Sequence, residues 1–153
     1  MLLSKAFSIR CVVALLLGLA GCDRPNYSSE QVAGRWALSG ESRHALPSVM
    51  RTATGLLFLE ESGHFTASEI PAGLVASQEE DTNKLVSGAG TWHLNVEDGR
   101  QVVQLDFEEI VGVSVGGAPF GTQVYLSKNV QNAVLYYFQA DPDNSLEIDF
   151  NKR

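Results

Sequence analysis

The chain has 153 residues, and its 18 acidic against 11 basic residues give a formal net charge of −7 at pH 7. This length suits one domain with a sizeable core. The negative charge repels phosphate backbones, which argues against nucleic-acid binding.

The first 21 residues have the pattern of a secretory signal peptide. Lys5 and Arg10 accompany an apolar run at 11–20, which is too short to cross a bilayer as a helix, and small residues follow it. We therefore expect residues 1–21 to be removed. Loss of the two basic residues leaves nine basic and 18 acidic residues, a formal charge of −9.

The residues Leu19-Ala20-Gly21-Cys22 resemble the lipobox of bacterial lipoproteins. The resemblance implies cleavage between Gly21 and Cys22 and acylation of Cys22 by chains such as palmitate. Several chains anchor a protein firmly, since each buried methylene contributes about 0.8 kcal/mol. We thus expect a lipid-anchored protein of the cell envelope. Asp23 resembles the residue that retains some lipoproteins at the periplasmic face of the inner membrane, and the outer membrane is the alternative.

With Cys11 removed and Cys22 acylated, no thiol is left for a disulfide, a metal site or a nucleophile. Residues 22–33 are predicted to form a lipidated tether that ends in a short helical turn. Ser28 or Ser29, followed by Glu30 and Gln31, can cap that turn.

From Gly34 onward, apolar residues recur at every second position, the period of a strand with one face on a core. This pattern predicts an all-β domain over 34–153. The short connections between most of the strands require antiparallel neighbours in a meander. The eight predicted strands lie at 36–38, 56–60, 65–67, 92–96, 103–107, 124–126, 134–138 and 146–150.

Three stretches interrupt this pattern. Residues 40–54 and 70–87 are interpreted as loops, the first with a short helix near 47–50. Residues 111–121, apolar and rich in glycine, are either a ninth irregular strand or a flexible flap.

An eight-stranded meander can close into a barrel, which removes exposed strand edges. The motif Gly34-Arg35-Trp36 resembles the Gly-x-Trp signature of the lipocalins and related calycin barrels, and Gly90-Thr91-Trp92 repeats it. The doubled motif is similar to small lipocalin-like bacterial lipoproteins. The resemblance implies a lipocalin-like barrel in which Trp36 closes the base, and we expect both Trp36 and Trp92 in the core. Another β-sandwich or barrel is the alternative.

Catalytic chemistry is not expected. Gly-x-Ser-x-Gly at 112–116 matches the nucleophile elbow of α/β-hydrolases, but His44, His64 and His93 all precede Ser114, and no helix is predicted after it. The histidines are also too far apart in sequence for the close pairs typical of zinc ligands. We expect no catalytic residue, metal or cofactor.

Residues 141–145 carry oxygen ligands at alternate positions, as in the opening of a calcium loop. Leu146 and Lys152 occupy the positions at which an EF-hand needs glycine and glutamate. A turn between two strands explains the same residues.

Two functions remain open. The first is a non-catalytic binding protein that takes a small apolar ligand into the barrel mouth, lined by Tyr125, Tyr137 or Phe120 and gated by 40–54 and 111–121. The alternative is a tethered protein-protein interaction module, such as an inhibitor, immunity factor or accessory subunit of an envelope complex, with a filled barrel. A cavity of about 300 Å³ or more inside the barrel would favour the ligand, and a packed interior with an exposed patch would favour the protein partner.

Overall fold

The computed structural model describes residues 26–75, 83–113, 120–127, 129–139 and 146–153. Eight antiparallel strands form one closed barrel, in which each strand pairs with its neighbours in sequence and the last pairs with the first. This confirms the predicted all-β meander closed into a small barrel. The strands are β1 (Gly34–Leu38), β2 (Leu56–Leu59), β3 (His64–Pro71), β4 (Leu85–Glu97), β5 (Arg100–Val111), β6 (Phe120–Leu126), β7 (Val134–Gln139) and β8 (Leu146–Lys152).

The two ends of the barrel differ. We call the end at which β1 begins the base, and the opposite end the mouth. A four-residue helix, α1 (Ser29–Val32), enters at the base, and a second helix, α2 (Gly40–Ala45), follows β1 at the mouth. Short 3-10 turns lie at Ser48–Met50 and Ala72–Leu74 near the mouth and at Val130–Asn132 near the base.

Large apolar side chains fill the barrel interior. Phe65 and Phe107 meet edge to face with 4.8 Å between ring centroids, and Trp36 is fully buried. Such close packing of large rings excludes water and supplies most of the hydrophobic stabilisation of a small domain. The largest strand residues with almost no exposed surface are Trp36, Leu57, Leu59, Phe65, Ile70, Leu105, Phe107, Leu135, Ile148 and Phe150.

The predicted helical turn before β1 is confirmed. The Ser28 hydroxyl accepts a hydrogen bond from the Gln31 N–H, and the Gln31 side chain accepts one from the Ser28 N–H, which makes a capping box. Tyr27 is buried beside it, and Gln101 bonds both its N–H and its carbonyl. Residues 27–33 are therefore part of the folded domain.

The prediction of a loop over 40–54 is wrong in part, because 40–45 form α2. The Ser39 hydroxyl accepts from the Ser42 N–H and caps the helix, and Ser42 packs towards β8 by accepting from the Asp149 N–H at 2.8 Å. The helix was not predicted because its six residues are too few to show a helical period of apolar residues. The 3-10 turn at Ser48–Met50 lies where a short helix was predicted.

The predicted loop at 70–87 is also too long, because β3 continues to Pro71 and β4 begins at Leu85. A β-bulge lies between Ala67 and Ile70, and Glu69 there has a positive φ of 49°. The extra residue shifts the alternation, so that Ala67 and Ile70 are both buried and the two-residue period is interrupted.

The early part of β4 was missed because glycine replaces side chains there. A Cβ on Gly90 would lie 2.0 Å from the Asp106 carbonyl oxygen, and one on Gly88 would lie 2.4 Å from that of Glu109. The neighbouring strand β5 bends closely over both glycines at a second bulge. Of the predicted stretch 111–121, residue 111 ends β5 and 120–121 begin β6.

Candidate interaction face

The mouth of the barrel is covered by residues 71–75, which follow β3. The Thr122 hydroxyl on β6 donates to the Leu74 carbonyl at 2.7 Å, and the Tyr137 hydroxyl on β7 donates to the Pro71 carbonyl at 3.5 Å. β6 and β7 stand across the barrel from β3, so these bonds hold the segment over the opening. Ala72 and Leu74 are buried by this arrangement.

The structure does not bring the three predicted ligand-binding residues together. Tyr137 faces inward and is 3 % exposed, and burial raises the pKa of its hydroxyl. Phe120 is half-buried and packs against the core. Tyr125 lies on the outside of the barrel, because it alternates with Val124 and Leu126, which face inward. The predicted position of Tyr125 at the mouth is therefore wrong.

Tyr125 belongs instead to an apolar surface on the outside of the barrel. We call Val102, Tyr125, Tyr136 and Phe138 the outer aromatic face. In the sheet register Val102 lies opposite Tyr125, and Tyr125 lies opposite Tyr136. The two tyrosine rings stack with 5.6 Å between centroids, and Phe138 meets Tyr136 edge-on at 5.7 Å.

Solvent exposure varies within this face. Phe138 is 44 % exposed, whereas Val102, which also faces outward, is fully buried. The outside of a small barrel is ordinarily polar, and grouped aromatic rings there are a common mark of a protein-protein contact. Tyrosine and phenylalanine are also among the residues enriched at such contacts.

Carboxylates border the outer aromatic face on its β8 side. Asp149 lies opposite Tyr136, and Glu147 lies opposite Phe138. Burial is the main cause that raises the pKa of Asp149, and the charge of Glu147, its hydrogen bond and the charge of Glu41 in α2 raise it further. The Asp149 Oδ1 atom is buried, with no hydrogen-bond partner among the described residues.

A surface cleft of about 430 Å³ continues the face towards the base. Val134 on β7 and Asn151 on β8 are paired and border it, and they lie two residues from Tyr136 and Asp149 on the same outer rows. The polar lining of the cleft consists of Tyr27, Gln31, Gln131, Asn132, Asn151 and Lys152. Amide groups thus share this concavity with apolar surface from Ala133 and Val134.

Lys152 is already engaged within the cleft. Its Nζ atom donates to the Gln31 carbonyl and lies 5.7 Å from the centroid of the Trp36 ring. Burial lowers the pKa of this ammonium group. The side chain therefore ties β8 to α1 at the base.

Both tryptophans lie in the core towards the base. Trp36 donates its indole N–H to the Val32 carbonyl at 2.9 Å, and Trp92 donates to the Glu60 carbonyl at 2.7 Å. Each indole thus fills the core and satisfies a carbonyl at the edge of the barrel.

Several predicted features lie outside the described residues: the signal peptide with Cys22 and Asp23, Ser114, and the turn at 141–145. Among the histidines, His93 approaches Asp106 with 3.8 Å between Nδ1 and Oδ2, and both side chains are exposed. Within the described ranges no three His, Cys, Asp or Glu side chains are grouped to hold a metal ion. The described part of the chain also has no helix of the length and apolarity needed to span a membrane.

The sequence of β7 contains an indication of the outer aromatic face that the search for alternating apolar residues did not consider. β7 reads Val134-Leu-Tyr-Tyr-Phe-Gln and, like β2 (Leu56–Leu59), is apolar on both faces, whereas β8 places polar residues on its outer side. A strand of a one-layer barrel has one face on the core, so apolar residues on its second face need a separate explanation.

Comparisons with protein-family models, curated proteins and solved structures gave no significant match to this chain. The fold itself is a small closed antiparallel barrel with a packed interior, and its wall carries the outer aromatic face.

Proposed function

We propose that this protein is a lipid-anchored lipoprotein of the bacterial cell envelope that acts as a non-catalytic interaction module and binds a partner protein on its outer aromatic face. The observation that carries the proposal is the grouping of Tyr125, Tyr136 and the 44 % exposed Phe138 on the wall of a packed barrel. A binding surface on the outside fits such a barrel better than one within it.

The location follows from the N-terminal residues. The basic start, the short apolar run and the lipobox-like Leu19-Ala20-Gly21-Cys22 support export, cleavage and acylation of Cys22. Asp23 favours the periplasmic face of the inner membrane, with the outer membrane as the alternative.

The interior geometry argues against the other open function, an apolar ligand carried inside the barrel. Phe65, Phe107 and Phe150 occupy the interior, and residues 71–75 cover the mouth. A ligand inside the barrel would have to displace this packed core, and the 430 Å³ cleft lies outside the barrel, on its surface.

Photo-crosslinking in intact cells tests the proposed face. A photoreactive amino acid is placed at Tyr125 or Phe138 of the full-length protein, and the matched control carries it at Thr66, which is exposed on β3 across the barrel. We expect one discrete adduct from positions 125 and 138 and none from 66. Equal adducts from all three positions, or none from any, would contradict the proposal.

Native mass spectrometry of the detergent-extracted protein tests the carrier function separately. We expect a mass accounted for by the acylated mature chain. A co-purified apolar molecule, retained in proportion to the protein, would instead support ligand carriage.

A further inference from the structure

We infer that the partner presents a basic segment to the outer aromatic face, with arginine or lysine side chains lying over the rings of Tyr136 and Phe138 and pairing with Glu147 and Asp149. The inference rests on the proposed function, because it names the chemistry of the partner at the same face.

The sheet register places rings and carboxylates side by side. Tyr136 pairs with Asp149 and Phe138 pairs with Glu147 on the adjacent strand. Neighbouring strands lie about 4.8 Å apart, so one cationic side chain above a ring also reaches the carboxylate next to it. A guanidinium or ammonium group is attracted by the face of an aromatic ring and by a carboxylate at once.

The charged residues around the outer aromatic face also favour a basic partner. β6 and β7 contain no lysine or arginine, and the one basic residue of β8, Lys152, lies at the base with its ammonium bonded to the Gln31 carbonyl. Glu41 adds a third carboxylate close enough to act on Asp149. The outer aromatic face therefore has negative charge beside Tyr136 and Phe138. The cations of the adjoining strands lie towards the base: Arg35 of β1 is near the end of β8, and Arg100 of β5 is three strands from Asp149.

The partly buried carboxylate of Asp149 also favours a cationic partner over an apolar one. Asp149 Oδ1 is buried without a hydrogen-bond partner among the described residues. Covering the face with neutral apolar groups would also desolvate the accessible remainder of this carboxylate at a cost in free energy, whereas the positive charge of an arginine or lysine beside it offsets that cost. A second copy of this chain would bring the same carboxylates together, and anionic lipid would be repelled.

A defined pair of peptides tests the inference. The probe is a short labelled peptide of alternating arginine and valine, and its counterpart has glutamate in place of arginine. Binding to the full-length acylated protein, held in zwitterionic detergent micelles, is measured by fluorescence anisotropy at low ionic strength. We expect saturable binding of the arginine peptide and none of the glutamate peptide.

Neutral variants locate the interaction. Glu147→Gln with Asp149→Asn should weaken binding of the arginine peptide by about five- to tenfold. The matched control, Glu61→Gln with Glu97→Gln, removes the same charge from exposed positions near the base and should leave the affinity within about twofold. Equal losses in both pairs, or binding of the glutamate peptide, would overturn the inference.

Crosslinking from position 138 separates the two proposals. If the adduct persists at full yield in Glu147→Gln/Asp149→Asn, the face binds a partner but the basic partner is wrong. If the wild-type chain gives no adduct, the proposed function itself fails. An adduct of two copies of this chain would overturn the basic partner and identify self-association. Circular dichroism of each variant confirms that the barrel is intact.

Discussion

The side chain of Trp36 connects three parts of the molecule. Its ring is fully buried in the core, its indole N–H bonds the last residue of α1, and the Lys152 ammonium lies 5.7 Å from its centroid. The packing role that the Gly-x-Trp resemblance implied therefore agrees with its surroundings, and the hydrogen bond to Val32 adds a role that the sequence pattern did not indicate.

Trp36→Ala should lower the free energy of unfolding by about 3 to 5 kcal/mol, because it leaves a large cavity in the core. Trp36→Phe keeps an aromatic ring but leaves the Val32 carbonyl without its donor, and should cost less, about 1 to 3 kcal/mol. Denaturant unfolding followed by the fluorescence of Trp92 measures both. A loss below about 1 kcal/mol for the alanine variant would show that Trp36 is not a core residue.

Asp149 predicts a dependence of stability on pH. Its pKa in the folded protein is raised above the ordinary 3.8, first by burial and then by Glu147 and Glu41. The folded state therefore holds the proton more tightly than the unfolded state does. The free energy of unfolding should fall as the pH rises from about 3.8 through the raised pKa, and this contribution should then stay constant.

Asp149→Asn should remove this fall, which urea unfolding at a series of pH values would show. Glu147→Gln is the control, since it removes one cause of the shift but not the burial, and the fall should become smaller without vanishing. If the wild type and Asp149→Asn show parallel curves across this range, Asp149 does not titrate as its surroundings imply.

At the scale of the element, α1 is a single turn that depends on its cap. A helix of four residues has no stability of its own, so the reciprocal bonds between Ser28 and Gln31 and the contact of Val32 with the core hold it in place.

Ser28→Ala should therefore lower the free energy of unfolding by about 1 kcal/mol, because the Gln31 N–H loses its acceptor. Ser29→Ala is the matched control, since Ser29 is the first helical residue and its side chain takes no part in the capping box. Chemical denaturation of both variants checks the difference. An equal effect of the two substitutions would show that the cap does not stabilise the domain.

Most strands could be predicted because one of their faces lies on the core. The regular alternation in β1, β5 and β8 gave their positions to within a few residues. The end of β3 and the start of β4 could not be predicted, since a bulge at Glu69 and the glycines 88 and 90 remove the alternating side chains. The position of a bulge depends on how two strands pair, and the local alternation of apolar residues contains no information about that pairing.

The candidate site was predicted less well than the fold. Tyr125 was predicted to bind a ligand at the barrel mouth. Because it alternates with the inward-facing Val124, it lies instead on the outer wall of the barrel. The partners that form the face with it, Tyr136 and Phe138, come from β7, and only the register between strands shows that their rings meet.

At the scale of the whole molecule, the proposed attachment to the membrane depends on one residue. Cys22→Ser should release the protein from the membrane fraction, since it removes the acceptor of the proposed acyl chains. Cys11→Ser is the control, because Cys11 lies in the proposed signal peptide, and this variant should fractionate as the wild type does. Retention of Cys22→Ser in washed membranes would contradict acylation at Cys22.

The hydrogen bonds that fix Tyr27 to the base of the barrel limit how far the barrel can lie from Cys22. Gln101 bonds the Tyr27 backbone N–H and carbonyl, and the Tyr27 hydroxyl bonds the Ser127 carbonyl at 2.9 Å. Cys22 stands five residues before this fixed position, a span of about 17 Å at most. With Cys22 acylated as proposed, so short a chain would orient the base towards the bilayer and the barrel wall sideways. Tyr136 and Phe138 would then meet neighbours that diffuse in the plane of the same membrane.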